Sequence, residues 1–187
     1  ESDWSAAATI MVAAAIAGEV TIKNTSTLSR QADTAICRAL ERAGASLIIE
    51  ENTITVAHRK LEAFEFDATQ CPDLFPALVA LAAAADGVSV ISGIGRLRGK
   101  ESDRGEVLSA EYSKLGIDIE LDYDADQMRV VGGPVTAAEV DSHDDHRIAM
   151  SLAITALRTD EKITIRNQEC VAKSYPSFFD DLESLRA

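Results

Sequence analysis

The stretch DWSAAATIMVAAAIAGEVTI, residues 3–22, holds the plan of the chain: a polar start at Asp3, an alanine-rich helix, a glycine turn and an alternating strand. The plan returns as PDLFPALVALAAAADGVSVI at 72–91 and as DDHRIAMSLAITALRTDEKITI at 144–165. Asp3, Asp73 and Asp145 stand at the three helix starts, 70 and 72 residues apart. After each strand comes a polar loop and a second helix: SRQADTAICRALERAG at 29–44, GKESDRGEVLSAEYSKLG at 99–116 and AKSYPSFFDDLESL at 172–185. The first two run on into paired strands, ASLIIEENTITVAH and IDIELDYDADQMRVV, whose Glu-Asn and Asp-Ala-Asp centres read as hairpin turns.

The unit is therefore β-α-β-α-β-β, with opening strands in AFEFDA at 63–68 and AAEVDS at 137–142. This predicts an α/β (α+β) fold: one domain over 1–187, in pseudo-repeats at about 1–60, 61–132 and 133–187. The first repeat lacks its opening strand and the third its hairpin, so other parts of a longer parent chain are expected to complete them. A start at Glu1, without an initiator Met, agrees with that expectation.

Composition narrows the function. A formal net charge of −13 and a pI near 4.6 disfavour polyanionic partners, so neither nucleic acid nor an anionic membrane is an expected partner. Cys37, Cys71 and Cys170 lack metal-ligand spacing and read as reduced thiols of a cytoplasmic protein, with no zinc site. The apolar run Ala6 to Ala17 is too short to span a bilayer. The acidic hairpin at 114–127 lacks the glycine and closing glutamate of a calcium loop, and SGIGRLRGK has neither dinucleotide-binding nor P-loop spacing. Tyr112, Phe178 and Phe179 read as core residues, and Trp4 stays open.

Against this acidic background, GRLRGKESDRGE at 95–106 crowds Arg96, Arg98, Lys100 and Arg104 at a predicted helix start with Ser102 as N-cap. Cations there face the positive end of the helix dipole, at a cost of about 0.3–1 kcal/mol each. Arg147 opens the helix of DDHR, and Lys173 precedes a helix with Pro176 in its first turn. The misplacement becomes favourable if an anion sits between these helix starts. The plain alternative is pairing with neighbours: Arg104 with Asp103 or Glu101, Arg147 with Asp144 or Asp145.

Acid/base groups stand beside these cations. Asp73, between Pro72 and Pro76, is either a helix cap or a proton acceptor, and Glu101 is either a solvated acid or a proton carrier. His146, with acids around it, is expected to be held charged, which suits binding of phosphate or carboxylate.

Taken together, LRGKESDR, DDHRIAM, ECVAKSYPSFF and CPDLFPALVALAA closely resemble the C-terminal half of the 5-enolpyruvylshikimate-3-phosphate (EPSP) synthase family, over essentially all 187 residues. The resemblance implies an inside-out α/β domain, one of two facing across a cleft, with helix N-termini aimed into it. It implies an enolpyruvyl transferase of the shikimate pathway, in chorismate and aromatic amino acid biosynthesis. The substrates implied are phosphoenolpyruvate and shikimate 3-phosphate, with no metal or organic cofactor, and the missing N-terminal domain is the implied partner. By match to the family motifs, Lys100, Arg104, Arg147 and Lys173 would hold phosphoenolpyruvate, with glyphosate competing for the same cations, and His146 would assist in that pocket. Asp73 would take the 5-hydroxyl proton and contact shikimate 3-phosphate, and Glu101 would protonate the methylene carbon. Arg96 stands where the family often has Asn, and Asp144 where Asn is common. Alone, the chain is expected to be inactive. The competing readings are a UDP-N-acetylglucosamine enolpyruvyl transferase, against which KESDR argues, and a non-catalytic repeat domain that docks an anionic partner.

Overall fold

A computed structural model describes residues 3–184; Glu1, Ser2 and residues 185–187, with the predicted helix end at Leu185, lie outside the described residues. The first unit is α1 (Trp4–Ala17), β1 (Glu19–Lys23), α2 (Ile36–Arg42), β2 (Ser46–Ile49) and β3 (Thr53–Ala57). The second is β4 (Glu65–Asp67), α3 (Phe75–Ala84), β5 (Val88–Ser92), α4 (Arg104–Lys114), β6 (Asp118–Asp122) and β7 (Gln127–Val131). The third is β8 (Glu139–Asp141), α5 (His146–Thr155), β9 (Thr164–Arg166) and α6 (Phe178–Ser184). The repeat read from the sequence is the repeat observed.

Helices α1, α3 and α5 pack on one another in the centre, and the sheets lie outside them. Their sequences dictate this place: α1 and α3 are apolar all round, as a helix buried on every side must be. Alanines at their contacts let the three backbones approach closely. Trp4, the residue left open by the sequence, is fully buried beside them. Tyr112 is buried too, its hydroxyl bonded with Ser151 and Thr155 of α5.

The sheets repeat one order. In the second unit it is β4-β5-β7-β6, with β4 parallel to β5 and the hairpin antiparallel to β5. Among the described residues the first unit has β1-β3-β2, the same arrangement without an opening strand, and the third has the parallel pair β8-β9 alone. Strand-to-helix loops in each unit lead back to the helix N-termini, so the starts of α3, α4 and α5 converge.

One glycine fixes the approach to that convergence. Gly93 ends β5 with φ +105°, and a Cβ there would stand 2.8 Å from the Thr69 backbone. The tight turn it permits throws the chain into a 3-10 turn, Ile94–Leu97, and the loop bearing Lys100. Asp126 secures this turn from the β6–β7 hairpin, its carboxylate accepting from Gly95 N–H at 2.7 Å. Among the described residues, no helix is long and apolar enough to cross a membrane. Cys37, Cys71 and Cys170 are buried free thiols.

Candidate active site

Asp73 sits where α3 begins, and its carboxylate does not cap the helix. It lies in the 3-10 turn Pro72–Leu74, and α3 is preceded by Leu74, with no side-chain cap. Pro76 is the second residue of α3, where a missing N–H costs nothing. Freed from capping, Asp73 Oδ1 accepts from Lys100 Nζ at 3.1 Å and Arg104 Nη1 at 2.8 Å, while Arg147 Nη2 stands 3.6 Å from Oδ2. Burial pushes this carboxyl upward, but Arg147, Lys100 and Arg104 outweigh it and hold it below the ordinary carboxylate range. The cap reading of Asp73 is therefore excluded, and three predicted site cations meet at one acid.

Arg104 differs from the expectation of a cation waiting for an anion. It opens α4, with Asp103 rather than Ser102 as the N-cap residue. Its side chain is 1% exposed and already grips three carboxylates: Asp145 from Nε at 2.7 Å, Asp73 from Nη1, and Glu101 from Nη2 at 2.6 Å. Pairing with neighbours thus describes Arg104 in part: Glu101 is three residues away, Asp73 stands at the other helix start of the same repeat, and Asp145 comes from the third repeat. The helix-dipole penalty is offset by acids brought from α3 and α5.

Asp145 is the residue whose importance the sequence concealed. It was legible as a helix start, and it does cap α5, accepting from Arg147 N–H at 3.0 Å. It is also fully buried, and takes Ser102 Oγ at 3.1 Å besides Arg104. Burial raises its pKa, but the Arg104 bond and charge, with the Arg147 N–H and Ser102, bring it below the ordinary value. Ser102, read as a cap for α4, instead ties the Lys100 loop to α5. The only sequence signal was the series Asp3, Asp73, Asp145.

Two further expectations need correction. His146 opens α5, but burial and the Arg147 guanidinium push its pKa below the usual imidazole range, against Asp145 and Glu101. It is held neutral, because desolvation and the Arg147 and Arg104 guanidinium groups outweigh two acids. Lys173 ends the 3-10 helix Gln168–Lys173 and lies five residues ahead of α6, with Pro176 outside the helix. It opposes no helix dipole. Its Nζ is 3.9 Å from Asp144 Oδ1, and both side chains are exposed. Glu101 is half exposed and bonded to Arg104.

The geometry supplies an ionised acceptor at Asp73, a half-open acid at Glu101, a neutral imidazole at His146 and cations at Lys100 and Arg147, with Lys173 on the adjoining loop. Such a set can receive an anionic substrate and move protons beside it.

Comparison with known proteins adds to this. The family model described as EPSP synthase (3-phosphoshikimate 1-carboxyvinyltransferase) matches residues 1–182. The chain is 42% identical over 188 aligned residues to a 3-phosphoshikimate 1-carboxyvinyltransferase of Methanocella arvoryzae, covering 99% of this chain and 44% of that protein. It is 40% identical to the enzyme of that name from Clostridioides difficile, covering 99% of this chain and 42% of the relative. Among solved structures it is similar to an EPSP synthase from Acinetobacter baumannii, with a TM-score of 0.86 and 33% identity over 97% of this chain and 45% of that one. The chain thus spans less than half the length of the relatives it matches.

Proposed function

The chain belongs to the EPSP synthase family, and from that membership we propose that it forms the C-terminal half of an enolpyruvyl transferase. The reaction moves the enolpyruvyl group of phosphoenolpyruvate to the 5-hydroxyl of shikimate 3-phosphate and releases phosphate, in the cytoplasm. The carrying observation is the ring of Lys100, Arg104 and Arg147 around the Asp73 carboxylate.

That ring has a chemical consequence. While three cations face Asp73, it is a weak base. Phosphoenolpyruvate bound by Lys100, Arg147 and Lys173 draws their charge onto its carboxylate and phosphate, and Asp73 then becomes basic enough to accept the 5-hydroxyl proton. The 5-oxygen attacks C2 of phosphoenolpyruvate as Glu101 delivers a proton to the methylene carbon, forming a tetrahedral intermediate. The Glu101 carboxylate takes that proton back as the C2–O bond to phosphate breaks, restoring the double bond. The proton on Asp73 passes to the departing phosphate. Arg104 keeps Glu101 and Asp73 in place, and neutral His146 lines the pocket without adding to its charge. Removing one positioned donor to the charge that builds on the leaving group should cost about 10²–10³ in kcat.

The other half of the cleft, and the strands that complete the third sheet, are supplied by the preceding part of the same polypeptide. In the first two units a hairpin pairs with β1 and β5, whereas β9 pairs only with β8 among the described residues. Beside β9 runs a groove of about 780 Å³, lined by Ile163, Ile165, Phe179 and Leu182 among others. These four side chains suit the inner face of such a hairpin, with Asp160, Glu161, Lys162 and Glu183 lining the same groove.

The test is to combine the chain with the N-terminal half of the Methanocella arvoryzae relative and measure phosphate release from phosphoenolpyruvate. Release that requires shikimate 3-phosphate supports the proposal. Release driven by UDP-N-acetylglucosamine, or phosphate binding without turnover, refutes it in favour of a wall-synthesis transferase or a non-catalytic module respectively.

A further inference from the structure

Glu111 lies two turns along α4 from Arg104, on the same face of the helix, and its side chain is 3% exposed. A buried acid needs partners, and Glu111 has them. Lys114 Nζ donates to both carboxylate oxygens at 2.8 and 2.7 Å, the Asp141 N–H donates at 2.8 Å, and His143 Nε2 stands 3.0 Å from Oε1. Burial raises the Glu111 pKa, but Lys114, His143 and the Asp141 amide outweigh it and hold the group below the ordinary range. Glu111 is therefore an acceptor, and His143 Nε2 must carry the proton of that bond.

None of these groups touches the cluster around Asp73, yet they hold the loop that builds it. His143 and Asp144 are consecutive residues with φ of +53° and +60°, a backbone that side chains disfavour and that persists only where the surroundings over-determine it. Asp141 Oδ1 accepts from His143 N–H at 2.7 Å and from Asn167 Nδ2 at 2.9 Å. Ser142 Oγ donates to the Asn167 carbonyl at 3.0 Å. Asn167 in turn opens the 3-10 helix that ends in Lys173. One face of α4 thus grips both ends of the 141–145 loop, Arg104 at Asp145 and Glu111 at Asp141 and His143.

We propose that Glu111, acting through His143 and the Asp141 amide, is a positioning residue that sets the 141–145 loop so that Arg147 and Lys173 address one anion. The proposal rests on the transferase reading above. Asp73 and Lys100 are held by other segments, so the Glu111 clamp governs the ligand of Arg147 and Lys173, phosphoenolpyruvate, and leaves shikimate 3-phosphate little affected.

The experiment compares wild type, E111Q, H143A and H143Q in the longest natural polypeptide that carries this chain, with KM for each substrate and kcat measured separately. Both E111Q and H143A should raise KM for phosphoenolpyruvate about tenfold, the size of one charge-assisted hydrogen bond, with KM for shikimate 3-phosphate within about twofold. H143Q keeps an N–H donor and should restore KM to within about twofold of wild type. Unchanged KM for phosphoenolpyruvate in E111Q and H143A, or equal shifts for both substrates, overturns the proposal. If wild type has no transferase activity, the functional reading has failed, and the clamp is read by titration of inorganic phosphate. There H143A should weaken affinity about tenfold, again the size of one such bond, and equal affinity overturns the clamp.

Discussion

Arg104→Met tests the electrostatic centre of the molecule. The substitution keeps an apolar stem of similar reach but removes a guanidinium that is 1% exposed. Asp145, fully buried, is left with only the Ser102 hydroxyl and the Arg147 N–H as donors. Breaking a buried ion pair from one side costs about 3–5 kcal/mol, because the remaining charge stays desolvated. For a chain of 187 residues that corresponds to a fall in Tm of roughly 6–20 °C. The pH dependence should also reverse. In wild type, Asp145 has its folded pKa below the unfolded one, so its contribution is present above about pH 4 and lost as pH falls through the folded value. Without Arg104 the burial effect is unopposed and the folded pKa rises. The contribution is then present below about pH 4 and lost as pH climbs, so the gap between variant and wild type widens as pH rises above about 4. Urea unfolding followed by circular dichroism at several pH values reads both effects. In the double variant R104M/D145N the orphaned charge is gone, and most of the loss should be recovered. A loss below about 1 kcal/mol, the size of a surface pair, or a double variant no better than R104M, would refute the reasoning.

Asp73→Asn should lower kcat of the completed enzyme by about 10²–10⁴, yet tighten inorganic phosphate binding in calorimetry, since Lys100 and Arg147 lose their internal counter-ion and Arg104 loses one of three. Glu101→Gln should cost a similar factor in kcat, about 10²–10⁴, with the unfolding midpoint little changed because the group is half exposed. His146 has a folded pKa below its unfolded one, so its contribution to stability is present above about pH 6.5 and lost as pH falls through the folded value. His146→Gln should therefore flatten the slope of urea midpoint against pH between about 7 and 5, and an unchanged slope would show that the ring is not held neutral.

The fold was largely legible because its signals are local. Periodicity, glycine turns and alternating strands are written within stretches of about twenty residues, and three copies of them corroborate one another. The site was legible in part for the same reason: KESDR, DDHR and Asp73 stand at helix starts, and cations there were worth noticing. Of the acids that the cations meet, only Glu101, three residues from Arg104, was legible. Arg104 reaches Asp73 and Asp145, 31 and 41 residues away, and such pairs exist only because α3, α4 and α5 bring their N-termini together. The neutrality of His146 depends on burial and on the competition of Arg147 and Arg104 with two acids, sums over three dimensions with no linear trace. Lys173 was misplaced because a 3-10 helix, rather than the start of α6, carries it. The sequence by itself determined the repeat and the sign of charge at each helix start, which short-range sterics and hydrophobic pattern encode. Only the tertiary structure decided which charges neutralise one another, because Coulomb interactions and desolvation depend on distances and burial that arise once the three repeats have packed.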